Sequence, residues 1–365
     1  MKSEIIDKRW GKSKPEEAVH TFNFEPVRKY YYDLVTKNDS DGSLFNWDIN
    51  KWTVKNFLND KIPVERLLSL GCGFGFLERY LHNENVFINC DAWDISKGAI
   101  NEARRLAKLE GIDNINYEIR NLEEIKINNT YNIIWANGAI HHINNVENLI
   151  GNIHTSLSDD GYFICNEYIV SNYQKLSHRH LEIINAAIHL IPPEMRGQSE
   201  SSFTPSYFRR PKWKRALWEI IGILTFRNSV LSEENFQNNL ELTGYQKRLF
   251  DFYKKVKRYQ ISKDSKFKFG KVYDLDPYYF KSVDPTECVN SSQIIPAIKK
   301  YFNNVEIRYY NGSVIHYAID PKFIRNYRCN NETHEKILQL LIEVEMRLIE
   351  IDDIKPVFAH IIARK

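Results

Sequence analysis

Gly71, Gly73 and Gly75 stand in the run Leu67-Leu68-Ser69-Leu70-Gly71-Cys72-Gly73-Phe74-Gly75-Phe76-Leu77, the most informative stretch of this chain. Glycines at alternate positions let the backbone turn sharply and let a ligand lie against bare main chain. Apolar residues lead into them, and Leu77, Tyr80 and Leu81 follow at helical spacing. The pattern predicts a buried parallel strand, a tight turn and a helix start. A dinucleotide fingerprint would place its third glycine three residues after the second, where Phe76 stands. Here it comes two after, at Gly75. That spacing suits a nucleoside with an amino-acid tail better than a pyrophosphate.

Four further sites carry chemistry-bearing side chains, each at the end of an expected strand. Asp94, followed by Ile95 and Ser96, lies about 20 residues beyond the loop, where a carboxylate can accept from two ribose hydroxyls. Asp91 is the alternative acceptor, and capping a helix beside Ser96 is the alternative role for Asp94. Asn121-Leu122 ends the third strand, and the Asn121 amide oxygen can accept from an adenine amino group. Asn137 ends the fourth and faces the same site. His141-His142 follows it, the only adjacent histidine pair in the chain. An imidazole titrates near neutrality and can take a proton from a hydroxyl. Either histidine could instead merely order the loop. Glu167 ends the fifth strand, as a second candidate base, an acceptor-positioning group, or a charge paired with the following insert. No His/Cys cluster has metal-ligand spacing, so no metal is expected.

The glycine run resembles motif I of the class I S-adenosylmethionine-dependent methyltransferases. Asp94-Ile95-Ser96 resembles the family's ribose-binding motif, and Ala136 to Ile143 its motif IV region. The resemblance implies a cofactor site of Gly71, Cys72, Gly73, Gly75, Asp94, Ile95, Asn121, Leu122 and Asn137. It implies acceptor-side residues among His141, His142 and Glu167. Two departures stand out. Asn121 occupies the place of a usual Asp, and Ser69 a place where many relatives carry an acid. Glu78 and Glu167 are the candidates for supplying that missing charge. Asn166-Glu167-Tyr168-Ile169, Leu190-Ile191-Pro192-Pro193 and Asp284-Pro285-Thr286-Glu287 resemble a bacterial subgroup that accompanies surface-polysaccharide or glycosylation enzymes. The resemblance implies O-methylation of a sugar or glycan precursor. Another small molecule or a peptide is the alternative acceptor, and a non-catalytic cofactor-binding scaffold the alternative class.

The elements that must position these residues alternate strand and helix. Strands are expected at Glu65–Leu70, Val86–Ile95, Ile115–Ile119, Tyr131–Asn137 and Tyr162–Val170, with Asp159-Asp160-Gly161 as a turn. Helices are expected from Gly75, Ser96 and Val146, then over Leu181–Ile191, Ser291–Phe302 and Glu332–Ile351. The rhythm implies a parallel sheet covered on both faces. Asn311-Gly312 between Val305–Tyr310 and Ser313–Ala318 predicts an antiparallel hairpin closing it. The rhythm gives the fold class α/β, and the resemblance implies a Rossmann-like seven-stranded methyltransferase sheet with a terminal antiparallel hairpin and a helical insert after strand five. The chain divides into five segments: a helical preface (1–60), the cofactor core (61–170), an inserted lid or acceptor region (171–285), a helix and hairpin completing the sheet (286–320), and a C-terminal helix and tail (321–365).

Composition sets the outer limits. The 365 residues carry a formal charge of +3, which favours no particular partner. The five cysteines include no CxxC pair, the start of the chain is polar, and no apolar run would span a bilayer. A reduced, cytoplasmic protein is expected. Between Pro205 and Lys271, basic residues such as Arg209, Arg210, Lys212, Lys214 and Arg215 interleave with Tyr207, Phe208, Trp213 and Trp218. Four readings stay open for that segment: a lid over an anionic acceptor, an RNA contact, a membrane contact and a solvated cover. Nucleic acid ranks low, because no broad basic stripe extends beyond it.

Overall fold

The computed structural model describes residues 21–192 apart from 39, 125, 171 and 173–175, together with Met195, and 286–365 apart from 313 and 320. The Pro205–Lys271 segment, with its four readings, lies outside the described residues. The chain divides into two compact units, Met1–Leu190 with Val272–Lys365, and Ile191–Lys271. The sheet and every candidate site residue belong to the first.

Seven strands form one sheet in the order β3-β2-β1-β4-β5-β7-β6. They are β1 (Val64–Leu70), β2 (Phe87–Asp94), β3 (Ile115–Ile119), β4 (Tyr131–Asn137), β5 (Leu157–Tyr168), β6 (Asn304–Tyr310) and β7 (Phe358–Arg364). The first five are parallel, while β7 pairs antiparallel with both β5 and β6. Sheet order reverses direction between β1 and β4. At such a switch point the loops after two neighbouring strands diverge and open a crevice at the carboxyl edge.

The preface supplies α1 (Glu25–Thr36) and α2 (Ile49–Thr53). After them Val54 and Leu58 join the core beside β1. Successive strand side chains point to opposite faces, so a strand buried on both sides reads as a continuous apolar run. Leu67, Ile133, Ile164 and Ile362 pack on one face, against α3 (Phe76–Asn83) and α4 (Lys97–Leu109). As expected, Ser96 caps α4, its hydroxyl accepting from Ala99 N–H at 3.2 Å. Their neighbours Leu68, Ile134, Phe163, Cys165 and Ile361 pack on the other face, against α5 (Val146–Ser156) and, beyond α6 (His178–Leu190), against α7 (Ile294–Tyr301).

Two expectations are corrected. The Asp159-Asp160-Gly161 turn is part of the twelve-residue β5, with a register shift opposite Tyr131/Ile133. The sheet does end in an antiparallel pair, but Asn311-Gly312 does not close it as a hairpin. Asn311 has the left-handed φ of 59°, yet the chain then enters α8 (Val314–Ala318), with α9 (Pro321–Asn326) after it. At α8, Glu345 of α10 (Glu332–Glu350) accepts from Ile315 N–H at 2.8 Å. A Cβ on Gly312 would lie 2.7 Å from Ile349 of the same helix. The partner of β6 comes instead from the expected tail, where Phe358–Arg364 inserts between β5 and β6. Val357 N–H bonds Asn311 C=O at 2.6 Å and sets that return. A local turn signal yields here to tertiary pairing by a more apolar strand.

Candidate active site

The loop after β1 is built as the glycines predict. Gly71, Gly73 and Gly75 have φ of 69°, 53° and 72°. At Gly71 a Cβ would sit 2.4 Å from the Cβ of Ala139, so this glycine lets the loops after β1 and β4 touch. At Gly75 it would sit 2.4 Å from the Tyr117 hydroxyl, whereas nothing lies within 4 Å of one at Gly73. The middle of the loop thus presents bare backbone to open space. Arg79 of α3 straps the loop from below, donating to the carbonyls of Phe74 (2.7 Å) and Gly75 (2.8 Å). Cys72 sits within it, and burial first, then the nearby Glu78 and Asp94, push its thiol well above its ordinary range. It is no ready nucleophile.

Asp94 meets this loop directly. Its Oδ2 accepts from Gly73 N–H at 2.9 Å and its Oδ1 from Ser96 N–H at 2.8 Å. One carboxylate therefore ties loop and β2 together at the carboxyl edge. Ile95 is half-buried beside it. Asp91 instead lies deeper in β2. Burial works against its charge, but bonds from Asn116, Tyr131 and Arg66 hold its carboxyl below the usual range. It is a structural ion pair with Arg66, at 2.7 Å.

Asn121 turns onto its own loop: its Oδ1 accepts from Glu123 N–H (3.2 Å) and its amide donates to Glu124 (2.9 Å). Leu122 packs against the core cluster. Asn137 accepts from Trp135 Nε1 at 3.2 Å and donates to Asn50 of α2 at 3.3 Å, so the preface reaches the end of β4.

The loop after β4 is held by Glu167. This carboxylate is 0 % exposed, and its Oε1 accepts from the N–H groups of Ala139 and Ile140, each at 2.8 Å. Its Oε2 lies 2.7 Å from His141 Nδ1. A carboxylate only accepts, so Nδ1 donates to it, and Nε2 is the nitrogen able to take a proton. Glu167 has no exposed surface and both of its oxygens are engaged, one by the loop backbone and one by the His141 ring. His141 Nε2 lies 3.9 Å from Glu287 Oε1. The His142 ring lies against His141, tilted by 39° with ring centroids 4.2 Å apart, and its Nδ1 lies 3.1 Å from Thr286 Oγ1. One ligand-type atom from each of His141, His142 and Glu287 falls within 4.8 Å of the others. That donor set could hold a divalent cation. Glu287 carries no spacing signal linking it to a histidine 146 positions earlier, and only the fold brings it there.

Glu78 is the other residue brought to the loop. Its carboxyl is fully buried on α3, and Ser69 Oγ donates to its Oε1. Its Oε2 has no hydrogen-bond partner among the described residues. Burial, only partly offset by the Ser69 bond, pushes its carboxyl up to about 7.

Residues 68–163 match the family description "Methyltransferase domain". Over 111 residues the chain is 25% identical to a malonyl-[acyl-carrier protein] O-methyltransferase of Bacillus anthracis, covering 30% of this chain and 40% of that protein. Over 120 residues it is 24% identical to malonyl-[acyl-carrier protein] O-methyltransferase 2 of Ilyobacter polytropus, covering 33% and 46%. The chain thus spans less than half the length of these curated relatives. Among solved structures, an S-adenosylmethionine-dependent methyltransferase from Clostridium acetobutylicum is similar over 38% of this chain and 55% of its own, at 19% identity and a TM-score of 0.30. Phosphoethanolamine N-methyltransferase 2 of Haemonchus contortus, in complex with S-adenosyl-L-methionine, covers 96% and 61% at 13% identity and a TM-score of 0.43. The residues matched by the methyltransferase-domain family run from β1 into β5.

Proposed function

We propose that this chain is an S-adenosylmethionine-dependent methyltransferase that methylates a hydroxyl oxygen of a sugar or glycan precursor. The observation that carries the reading is the bond from Gly73 N–H to Asp94, at 2.9 Å. It joins an open glycine loop and a carboxylate at the sheet's carboxyl edge, and the methyltransferase-domain match covers both. S-adenosylmethionine supplies a methyl group already activated as a sulfonium, so the protein needs chiefly to align the acceptor and remove its proton.

Gly71, Cys72, Gly73 and Gly75 hold the amino-acid end and nucleoside against bare backbone. Asp94 accepts from the ribose hydroxyls, while Ile95, Asn121, Leu122 and Asn137 border the rest. The acceptor's hydroxyl proton passes to His141 Nε2, and Glu167 fixes the ring and stabilises the imidazolium that forms. His142 orders the loop through Thr286. Oxygen as the methylated atom accords with relatives named as O-methyltransferases. The sugar rests on the resemblance to the polysaccharide-associated subgroup. An acyl-carrier-linked acid, another small molecule and a peptide are the alternative acceptors, and a cofactor-binding scaffold is the alternative class. The free cysteines, including exposed Cys329, accord with a reducing cytoplasmic setting. Among the described residues no helix is long and apolar enough to cross a membrane.

The test is transfer of labelled methyl from S-adenosylmethionine to nucleotide sugars, glycans, malonyl-carrier protein and peptides. Label in a sugar hydroxyl supports the full reading. Label in another acceptor corrects the substrate, and no label in any acceptor favours the scaffold. A second reading is favoured by the cluster of His141, His142 and Glu287: a divalent cation held there would acidify the acceptor instead. Activity lost on chelation and restored by Zn²⁺ or Mn²⁺ would select it.

A further inference from the structure

A fully buried carboxyl with one unpartnered oxygen is costly, and the methyl-transfer scheme above leaves it unused. Glu78 is such a group. Ser69, two residues before the first glycine, donates to one of its oxygens, and the other has no partner among the described residues. It lies under the glycine loop, in the first turn of α3. The titratable groups that face it come from every neighbouring element. They are Cys72 in the loop, Cys90 and Asp94 on β2, Tyr117 on β3, and Arg79 beside it on α3. Only Arg79 is cationic, and its guanidinium is held by the carbonyls of Phe74 and Gly75 and by Glu110.

We infer that Glu78 makes this site prefer the cationic methyl donor to its neutral demethylated product, by releasing a proton beneath the glycine loop when the donor binds. This rests on the cofactor reading above. The donor carries one positive charge more than the product, on sulfur. In a buried, poorly screened position a carboxylate responds strongly to such a charge. Burial, with Asp94 nearby, raises Glu78 to about 7, so below neutrality the free protein holds it mainly as the acid. The arriving cation favours the carboxylate, and one proton leaves to solvent. Loss of the methyl group removes the cation, the carboxyl takes a proton back, and the product is held less tightly. By reciprocity, the proton released by the donor must appear as donor affinity that rises with pH.

The experiment is calorimetric titration of the full chain with S-adenosylmethionine and with S-adenosylhomocysteine, at about pH 6 and pH 8, in two buffers of different ionisation enthalpy. The wild-type preference for the donor should rise roughly fivefold to tenfold with pH, with proton release. Glu78→Gln keeps the shape and the Ser69 bond, so its preference should stay low, and any residual pH dependence is the ligand's own. Ser69→Ala removes a bond that lowers the carboxyl's pKa, so it should move the rise to higher pH. A wild-type preference that is flat with pH, or equally steep in Glu78→Gln, overturns the inference. If the glutamine variant fails to fold, an unmoved profile in Ser69→Ala overturns it instead. Failure of the wild type to bind either ligand sinks the cofactor reading, which is a distinct result.

Discussion

Glu167 shows how one buried carboxylate can set the state of a whole loop. It accepts from two backbone N–H groups and from His141, so it fixes both the ring's place and its tautomer. Replacing it with Gln keeps the size but lets the side chain present an N–H to Nδ1. The ring is then stabilised in the other tautomer, with Nε2 protonated. Turnover by Glu167→Gln should fall by about 10²–10⁴, the usual worth of general-base assistance, with S-adenosylmethionine affinity kept. The rate-versus-pH profile should lose its His limb, and a variant that keeps the wild-type profile would leave Glu167 a purely structural tie. The glycines, Asp94 and the His pair were legible because their spacing relative to strand ends is local. Glu287 and the buried state of Glu167 were not, since both depend on which distant segments the fold brings to the β4 loop.

At the scale of elements, local patterns placed most strands within a residue or two, because two-sided burial leaves a continuous apolar signature. They failed at Asn311-Gly312, where the backbone turns but the chain beyond it packs on α10 instead of pairing with β6. That helix is itself strongly capped: Asn331 accepts from Thr333 N–H at 3.0 Å and from His334 N–H at 3.2 Å. Asn331→Ala should cost about 0.5–2 kcal/mol, read from urea unfolding. Gly71→Ala should cost about 1–3 kcal/mol, since its Cβ must push the β4 loop away from Ala139. That variant should also lose cofactor binding, whereas Asn331→Ala should keep it.

For the whole molecule, the decisive strand is the last. β7 lies between β5 and β6, so the sheet is complete only when Phe358–Arg364 pairs with both. His360 on β7 is fully buried, with its Nε2 2.8 Å from Thr53 Oγ1 in the preface. Burial, and then the charge of Arg308, lower its pKa from 6.5 to about 3. The unfolded chain therefore binds a proton here that the folded chain refuses. The His360 contribution to stability is present above about pH 6.5 and is lost as pH falls toward 3, with a slope near 1.4 kcal/mol per pH unit. Urea midpoints in that window should flatten in His360→Gln, and an unchanged slope would contradict the assignment. No periodicity could announce this, because a seven-residue run after a long helix reads as a tail until its partners are known.

The central claim is that the glycine loop and Asp94 together bind S-adenosylmethionine. It is tested most directly by calorimetry of the wild type and Asp94→Asn with S-adenosylhomocysteine, which avoids turnover, and with NADH. The account predicts saturable one-to-one binding of S-adenosylhomocysteine, weakened in Asp94→Asn by about 1.5–3 kcal/mol through loss of charge-assisted hydrogen bonds, and no NADH binding. Tight NADH binding, or S-adenosylhomocysteine affinity indifferent to Asp94, would contradict it.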